Sequence, residues 1–470
     1  TVAGGSVPLK DVPGVKRGET DRPTVHNPSN PTGSTTLGHG TAGVIEDKPP
    51  RTPWAVGSGG STPATPPNES PVASVSFQWS GALSPLEVPA SLNNNLIIVA
   101  ESSTLEFFSS ADLSAFKSFS LDGDIRDRST TVLAGTGKPT TFATTANGTV
   151  YCIDPVNPGI VWQRTLRRAG CADDGISAGP IVHLRRNASA NFKARYLTDL
   201  VYVATNYMAT SGCTSGHTTA NRVYALEATD GLPVWTFNET GSEEVDGITR
   251  CASLDMANDR LIVTTKRGYS ATQHTVWSID VLTGTPVWST NAGDIENSPV
   301  LLDDRVLVAS RTGLVSALDR NTGVLIWNLQ VGQPPSPSIA TMTAATVPNI
   351  GRAIFIGMAS GRVRLVKDNG GSGEILWDIS LPGGRKAQSR VSYEPHSNML
   401  YVGADDSQVY QINALTGAVT ANRLIEASGT GIVTDPLIWY AGGVAMLAAG
   451  SSKGALAEFV LPWPTETFGQ

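Results

Sequence analysis

ALDRNTGVLIW, residues 317–327, is the stretch whose reading decides the fold. Apolar residues alternate with small or polar ones up to Leu318. The cluster Asp319 to Gly323 then turns the chain, and a second apolar run ends at Trp327. Alternation predicts a half-buried strand, and a polar turn with Gly between two such runs predicts a hairpin. Asp319 is placed to accept hydrogen bonds from the turn amides, and Gly323 to take the positive φ that closes a short loop.

The same pattern returns along the chain. Ala225 to Trp235 reads ALEATDGLPVW and Ser278 to Trp288 reads SIDVLTGTPVW. Cys152 to Trp162, CIDPVNPGIVW, keeps the spacing with Pro158 where Gly is expected. Leu365 to Trp377, LVKDNGGSGEILW, has two extra residues in the turn. Gln411 onward, QINALTGAVTA, keeps the turn but carries Ala421 in place of Trp. A unit recurring every ~40 to 70 residues means a solenoid or a propeller.

These copies resemble the quinoprotein-like (PQQ-like) β-propeller repeat, Ala-x-Asp-x-x-Thr-Gly-x-x-x-Trp, over residues 74–462. The resemblance implies an all-β fold and gives the tryptophans a place in the core between neighbouring blades: Trp79, Trp162, Trp235, Trp288, Trp327 and Trp377. It leaves function open, because the family includes dehydrogenases, kinase ectodomains and scaffolds.

Composition agrees with a turn-rich β protein. The chain has 470 residues with 48 Gly and 30 Pro, and 16% are charged. A net charge of −7 has the wrong sign for a nucleic-acid binder. The longest apolar run, near Gly442 to Gly450, falls far short of the ~20 residues that cross a bilayer, so no membrane span is expected. The start at Thr1, without Met or a signal peptide, is what a processed, secreted product would show, and a trimmed sequence would show it equally.

Residues 1–73 hold 12 of the 30 prolines and no sustained periodicity, so they form an extended arm without a core of their own. Gly43 to Ile45 and Trp54 to Val56 are its apolar islands, with Trp54 the expected anchor. Strand signal starts at Ser74 to Leu83, which reads as the outermost strand of a blade lacking its first three. Gly431 to Leu461 supplies three strands and no fourth. The two deficits fit each other and would close the ring, removing an open edge. Between them lie seven units, at about 86–121, 129–166, 176–238, 247–291, 295–331, 338–381 and 387–425, the third with an insertion from Asn206 to Arg222. The expectation is therefore an eight-bladed β-propeller of four-stranded blades with an N-terminal arm (1–73), a propeller (74–462) and a C-terminal tail (463–470). No helix is predicted.

Loops between blades open on the channel face. Those before the third, fourth and fifth units are acidic: Asp173 and Asp174; Glu243, Glu244 and Asp246; Asp294 and Glu296. Those before the second and seventh are basic: Arg126 and Arg128; Arg385 and Lys386. This predicts a rim negative on one side and positive on the other, where a cation could sit, with solvated turn residues as the plainer reading. Asp303–Asp304 and Asp405–Asp406 read as turn pairs. Cys171 and Cys213 fall on the channel face and are expected to form a disulfide, whereas Cys152 and Cys251 are expected as buried thiols. Sequons at Asn68, Asn147, Asn187 and Asn238 are the candidate glycosylation sites.

Quinoprotein dehydrogenases resembling this fold hold the quinone over a vicinal cysteine disulfide, with Ca²⁺ ligands and a catalytic Asp in the channel. This chain has no adjacent cysteines. Its histidines (26, 39, 183, 217, 274 and 396) show no metal-ligand spacing, and there is no Ser-His-Asp order or phosphate-binding loop. The expectation is a non-enzymatic extracellular scaffold without catalytic residues, metal or cofactor, which associates with itself through residues 1–73, in the limit as a filament. Fully extended, such an arm reaches on the order of 200 Å. The alternatives are a quinoprotein-like dehydrogenase, an adhesin that binds its ligand on the channel face, or an arm that wraps its own propeller.

Overall fold

In the computed structural model, residues 73–76 and, apart from short interruptions, 96–466 are described. The longest interruptions are 169–174, 207–220, 239–244, 267–272 and 333–338. The chain divides into two units, Thr1–Gly33, which lies outside the described residues, and Ser34–Gln470, which holds the propeller. Trp54, Asn68, Trp79, Cys171 and Cys213 also lie outside them, as do the arm up to residue 72 and the proposed disulfide, while Ala73, read as the last residue of the arm, belongs to a strand of the propeller.

The fold is an eight-bladed β-propeller. Strand β1 (Ala73–Ser76) comes first, followed by blade 1 with β2 (Leu96–Glu101), β3 (Thr104–Ser109) and β4 (Ala115–Ser120). Blade 2 has β5 (Thr130–Leu133), β6 (Pro139–Thr144), β7 (Thr149–Asp154) and β8 (Gly159–Thr165). Blade 3 has β9 (Ile181–His183), α1 (Ala190–Arg195), β10 (Leu200–Ala204), β11 (Val223–Glu227) and β12 (Pro233–Phe237). Blade 4 comprises β13 (Ser253–Asp255), β14 (Arg260–Thr264), β15 (Val276–Asp280) and β16 (Pro286–Thr290). Blade 5 comprises β17 (Val300–Leu302), β18 (Arg305–Ala309), β19 (Leu314–Asp319) and β20 (Leu325–Gln330). Blade 6 has β21 (Ile339–Val347), β22 (Gly351–Met358), β23 (Arg362–Asp368) and β24 (Gly373–Ser380). Blade 7 has β25 (Ser392–Glu394), β26 (Met399–Gly403), β27 (Gln408–Asn413) and β28 (Val419–Leu424). Blade 8 has β29 (Leu437–Ala441), β30 (Val444–Ser451) and β31 (Ala455–Val460), and β1 is its fourth strand. That strand pairs antiparallel with β31, Ala73 opposite Glu458 and Ser76 opposite Ala455, so residues from the two ends of the chain share one sheet.

The quoted stretch is the β19–β20 hairpin. Asp319 Oδ1 accepts from the Asn321 and Thr322 amides at 3.0 and 2.8 Å and from the Thr322 hydroxyl at 2.8 Å. The hydroxyl and amide of Thr322 hold the Asp319 carboxyl below its ordinary range. The small first residue of the repeat lies directly across from its Trp: Cys152 faces Trp162, Ala225 faces Trp235, Ser278 faces Trp288 and Ala317 faces Trp327. A register shift follows immediately in each of these hairpins, and such a bulge re-aims the side chain beside it.

The bulged Trp reaches the next blade. Trp162 Nε1 donates to Ala228 O (3.0 Å), Trp235 to Val281 O (2.9 Å), Trp288 to Arg320 O (3.2 Å) and Trp377 to Ala414 O (3.0 Å). Trp327 donates instead to the Asp368 carboxylate, at 2.9 Å. Each acceptor belongs to the corresponding turn of the following blade, and the glycine of that turn lies under the indole. A Cβ on Gly323 would stand 2.3 Å from Trp288, and one on Gly373 would stand 2.8 Å from Trp327. The repeat's Gly thus serves both a turn at φ +71° (Gly323) and close stacking by its neighbour. Trp288 and Trp327 are buried, while Trp162, Trp235 and Trp377 are half-buried.

The two described blades without this Trp use other solutions. In blade 1 Phe107 faces Lys117 just before the same register shift, so Lys117 occupies the Trp position. Blade 7 has the buried Ala421 there, and Trp463 packs into the same cluster, edge-on to Tyr401 and Phe459. Gln411 holds the backbone of Trp463 with both atoms of its amide: its Nε2 donates to Trp463 O (3.0 Å) and its Oε1 accepts from Trp463 N (2.8 Å). Arg423 pairs with Glu466. Residues 463–466, read from sequence as tail, are built into the seam between blades 7 and 8.

Helix α1 departs from the all-strand expectation. It lies in the β9–β10 connection, capped by Ser189, whose hydroxyl accepts from Phe192 N at 3.0 Å. Six residues are too few to show helical periodicity in sequence, and Phe192, fully buried against His183, fixes the turn. Around the channel, hydroxyls of inner strands donate to the next blade's backbone: Thr130 to Pro180 O (2.7 Å), Ser253 to Pro299 O (2.6 Å) and Thr343 to Val391 O (2.6 Å).

Candidate functional site

On the channel face the acidic loops do not stand alone. Lys266 Nζ is 3.3 Å from Glu296, and Arg311 reaches Asp294 at 3.4 Å and Glu296 at 3.5 Å. Both basic residues come from loops joining second to third strands, which open on the same face as the loops between blades. At Asp294 and Glu296 the negative charge read from the interblade loops is offset by these neighbours. Arg385 likewise pairs with Asp406 at 3.5 Å, and Asp405 accepts from Lys386 N at 3.0 Å. Asp246 accepts from Gly247 N (2.6 Å), and burial pushes its carboxyl up. Arg126 points to Ser177 Oγ at 3.5 Å. Asp173, Asp174, Glu243, Glu244 and Arg128 lie outside the described residues.

Deeper in, Asp127 links three blades: its Oδ2 accepts from Gly179 N at 3.2 Å and from the Cys251 thiol at 3.0 Å. Cys251 and Cys152 are buried free thiols, and burial pushes Cys152 up to about 12, which leaves it protonated and inert. Among the described residues no three His, Cys, Asp or Glu side chains are grouped as a metal site. Asp303 and Asp304 are not merely solvated turn residues, since Arg352 bridges them at 2.9 and 2.7 Å. Arg320 forks onto the buried Asp255, linking the turns of blades 4 and 5. Of the sequons, Asn147 is exposed with its amide donating to Asp122 O, Asn187 is exposed beside α1, and Asn238 is half-buried.

The outer strands are different in kind. Among the described residues, the outermost strand of every four-stranded sheet pairs on one side only, and several of these strands expose apolar side chains. Ile160 and Val161 in blade 2, Val287 in blade 4, Val324 and Leu325 in blade 5, and Ile375 and Leu376 in blade 6 are all exposed, with Val324 at 63%. They sit just before the repeat's Trp, so the indole turns inward and its predecessors outward. A backbone edge flanked by apolar side chains is what an extended segment needs: main-chain hydrogen bonds and places for alternate side chains. The sequence signal was available in the runs GIVW, VLIW and EILW, but it reads as core until the bulge is known.

Comparison with known proteins agrees with this architecture. The family described as "Outer membrane protein assembly factor BamB" matches residues 109–272 and 219–450. The protein of that name from Shewanella oneidensis is 24% identical over 164 residues, 33% of this chain and 39% of the relative's length. The chain thus spans well under half of that curated relative. Among solved structures, Saccharomyces cerevisiae Sqt1 superposes with a TM-score of 0.61 at 11% identity, covering 83% of this chain and 99% of its own. Quinohemoprotein alcohol dehydrogenase from Comamonas testosteroni gives 0.59 at 12% identity, covering 84% and 77%. At such identities these two likenesses speak for the fold alone.

Proposed function

The chain belongs to the PQQ-like β-propeller family whose description names the assembly factor BamB, and from that premise we propose that it is a non-enzymatic, protein-binding scaffold. Its working surface is the outer rim, and its ligand is an extended polypeptide segment, first of all the arm (residues 1–73) of a second copy. The observation that carries this reading is the recurrence, among the described residues, of a strand edge without a pairing partner and with exposed apolar residues in blades 2, 4, 5 and 6. The channel face supports it by contrast, because two of its described acidic residues, Asp294 and Glu296, are already engaged by Arg311 and Lys266. That the similar Shewanella protein is named an assembly factor is in keeping with protein binding. An edge-to-arm contact is head-to-tail and does not close on itself, so it would propagate. A secreted, extracellular setting belongs to the same proposal; among the described residues no helix is long and apolar enough to cross a membrane.

Size-exclusion chromatography with light scattering, on the full chain and on residues 69–470, tests the reading. Concentration-dependent growth in mass for the full chain alone is expected. A full chain that stays monomeric at high concentration, with residues 1–68 protected from protease, would show that the arm wraps its own propeller.

A further inference from the structure

Glu458 lies on β31, the strand to which β1 is added, and pairs with Ala73 in that closing contact. It is buried, at 2% exposure, and its Oε1 has no hydrogen-bond partner among the described residues. A buried carboxyl oxygen without a donor costs far more ionised than protonated.

Its surroundings follow from alternation. Leu456, two residues away on the same face of β31, packs with Ile97, Val99 and Phe108 of blade 1 and with Trp439 and Ala448 of blade 8. Glu458 therefore faces the seam between blades 8 and 1. From its own sheet this face receives Leu437 and Trp439 on β29 and Met446 and Ala448 on β30, none of them titratable. From blade 1 it receives Ile97, Val99 and Glu101 on β2, Thr104, Glu106 and Phe108 on β3, and Ser118 and Ser120 on β4. The charged or titratable groups on these strand faces, among the described residues, are Glu101, Glu106 and Glu458: three carboxyls, with no Lys, Arg or His. The cross-blade contacts of blades 4 to 6, by contrast, carry arginine–aspartate pairs such as Arg320 with Asp255 and Arg305 with Asp368.

We propose that Glu458 makes closure of the propeller pH-sensitive: protonated, it lets β1 seat on β31, and ionised, it loosens that four-residue strand. Loosening β1 frees the β31 edge. Burial raises the Glu458 carboxyl from 4.5 to about 7, so the titration falls in a window a protein can meet. The sign follows from linkage. The closed state binds the proton more tightly than the open one, so closure is firmest below about 4.5 and is lost progressively as pH rises through about 7. Between pH 6 and pH 8 the opening equilibrium of β1 should rise about tenfold.

Hydrogen exchange on the full chain, read by mass spectrometry and corrected for intrinsic rates, tests this. Peptides covering residues 73–76 and β31 should lose about tenfold in protection from pH 6 to pH 8, while a peptide covering β19 stays unchanged. Glu458→Gln should hold the pH 6 protection at pH 8. The idea is overturned if wild-type protection at 73–76 is flat across that range, a result needing no variant, or if Glu458→Gln keeps the wild-type pH response. Loss in parallel at 73–76 and β19 would also overturn it, by assigning the effect to the whole fold.

Discussion

Replacing Trp327 with Ala removes more than a side chain from one blade. The indole is 5% exposed, lies over Gly373 of the next blade, and donates to Asp368 Oδ1 at 2.9 Å. Deleting a buried Trp costs ~3–5 kcal/mol from lost burial plus the cavity left behind. The cavity should stay open, since Gly373 brings no side chain to fill it. The lost hydrogen bond adds little, because Asp368 Oδ1 keeps the Gly370 amide at 2.8 Å and Oδ2 faces Arg305 at 3.4 Å. The total expected for Trp327→Ala is therefore ~4 kcal/mol. Trp327→Phe keeps most of the ring contact and should cost about half as much. Equilibrium urea unfolding, followed by fluorescence and circular dichroism to check for a single transition, measures both. A loss below ~1 kcal/mol for Ala, or equal losses for Ala and Phe, would refute the interblade lock.

Other expectations follow from the same contacts. Gly323→Ala places a Cβ 2.3 Å from Trp288 at φ +71°, whereas Gly351→Ala, at φ +85°, meets nothing within 4 Å; in thermal melts the first should destabilise clearly more than the second. For Glu394, burial alone would raise the carboxyl, but donation from Ser397, Tyr440 and the His396 amide outweighs it and brings it down to about 2. Its stabilisation is present above 4.5 and lost as pH falls toward about 2, so Glu394→Gln should flatten the fall in melting temperature over that window. Removing residues 1–84 takes away β1 and should expose β31 and cause aggregation, while removing 1–68 should leave a soluble protein; a monomeric 85–470 fragment with unchanged melting contradicts closure by β1. Purified protein incubated with pyrroloquinoline quinone and Ca²⁺ should neither retain the quinone's absorbance nor reduce dyes with alcohols or sugars, and stoichiometric retention would overturn the non-enzymatic reading.

Local pattern carried most of the fold. A hairpin whose turn is written Asp-x-x-Thr-Gly, with its strands read by alternation, is decided by residues within about a dozen positions of one another. Repetition of that unit, and the complementary strand deficits at 74–83 and 431–461, led to a closed ring from sequence alone. What sequence left undetermined depends on residues brought together from different blades. The Trp position of blade 7 is empty in the sequence at Ala421, and only packing shows Trp463, 42 residues later, in its cluster. Acidic loops around Asp294 and Glu296 read as a charged rim until Lys266 and Arg311 arrive beside them from other loops. Glu458 reads as a polar residue in a strand, and its burial without a partner appears only when blade 1 closes against it. Alternation assigns a side chain to one face of its sheet; which neighbour covers that face, and so whether a charge there is paired, solvated or stranded, is set by the curvature that brings distant blades together.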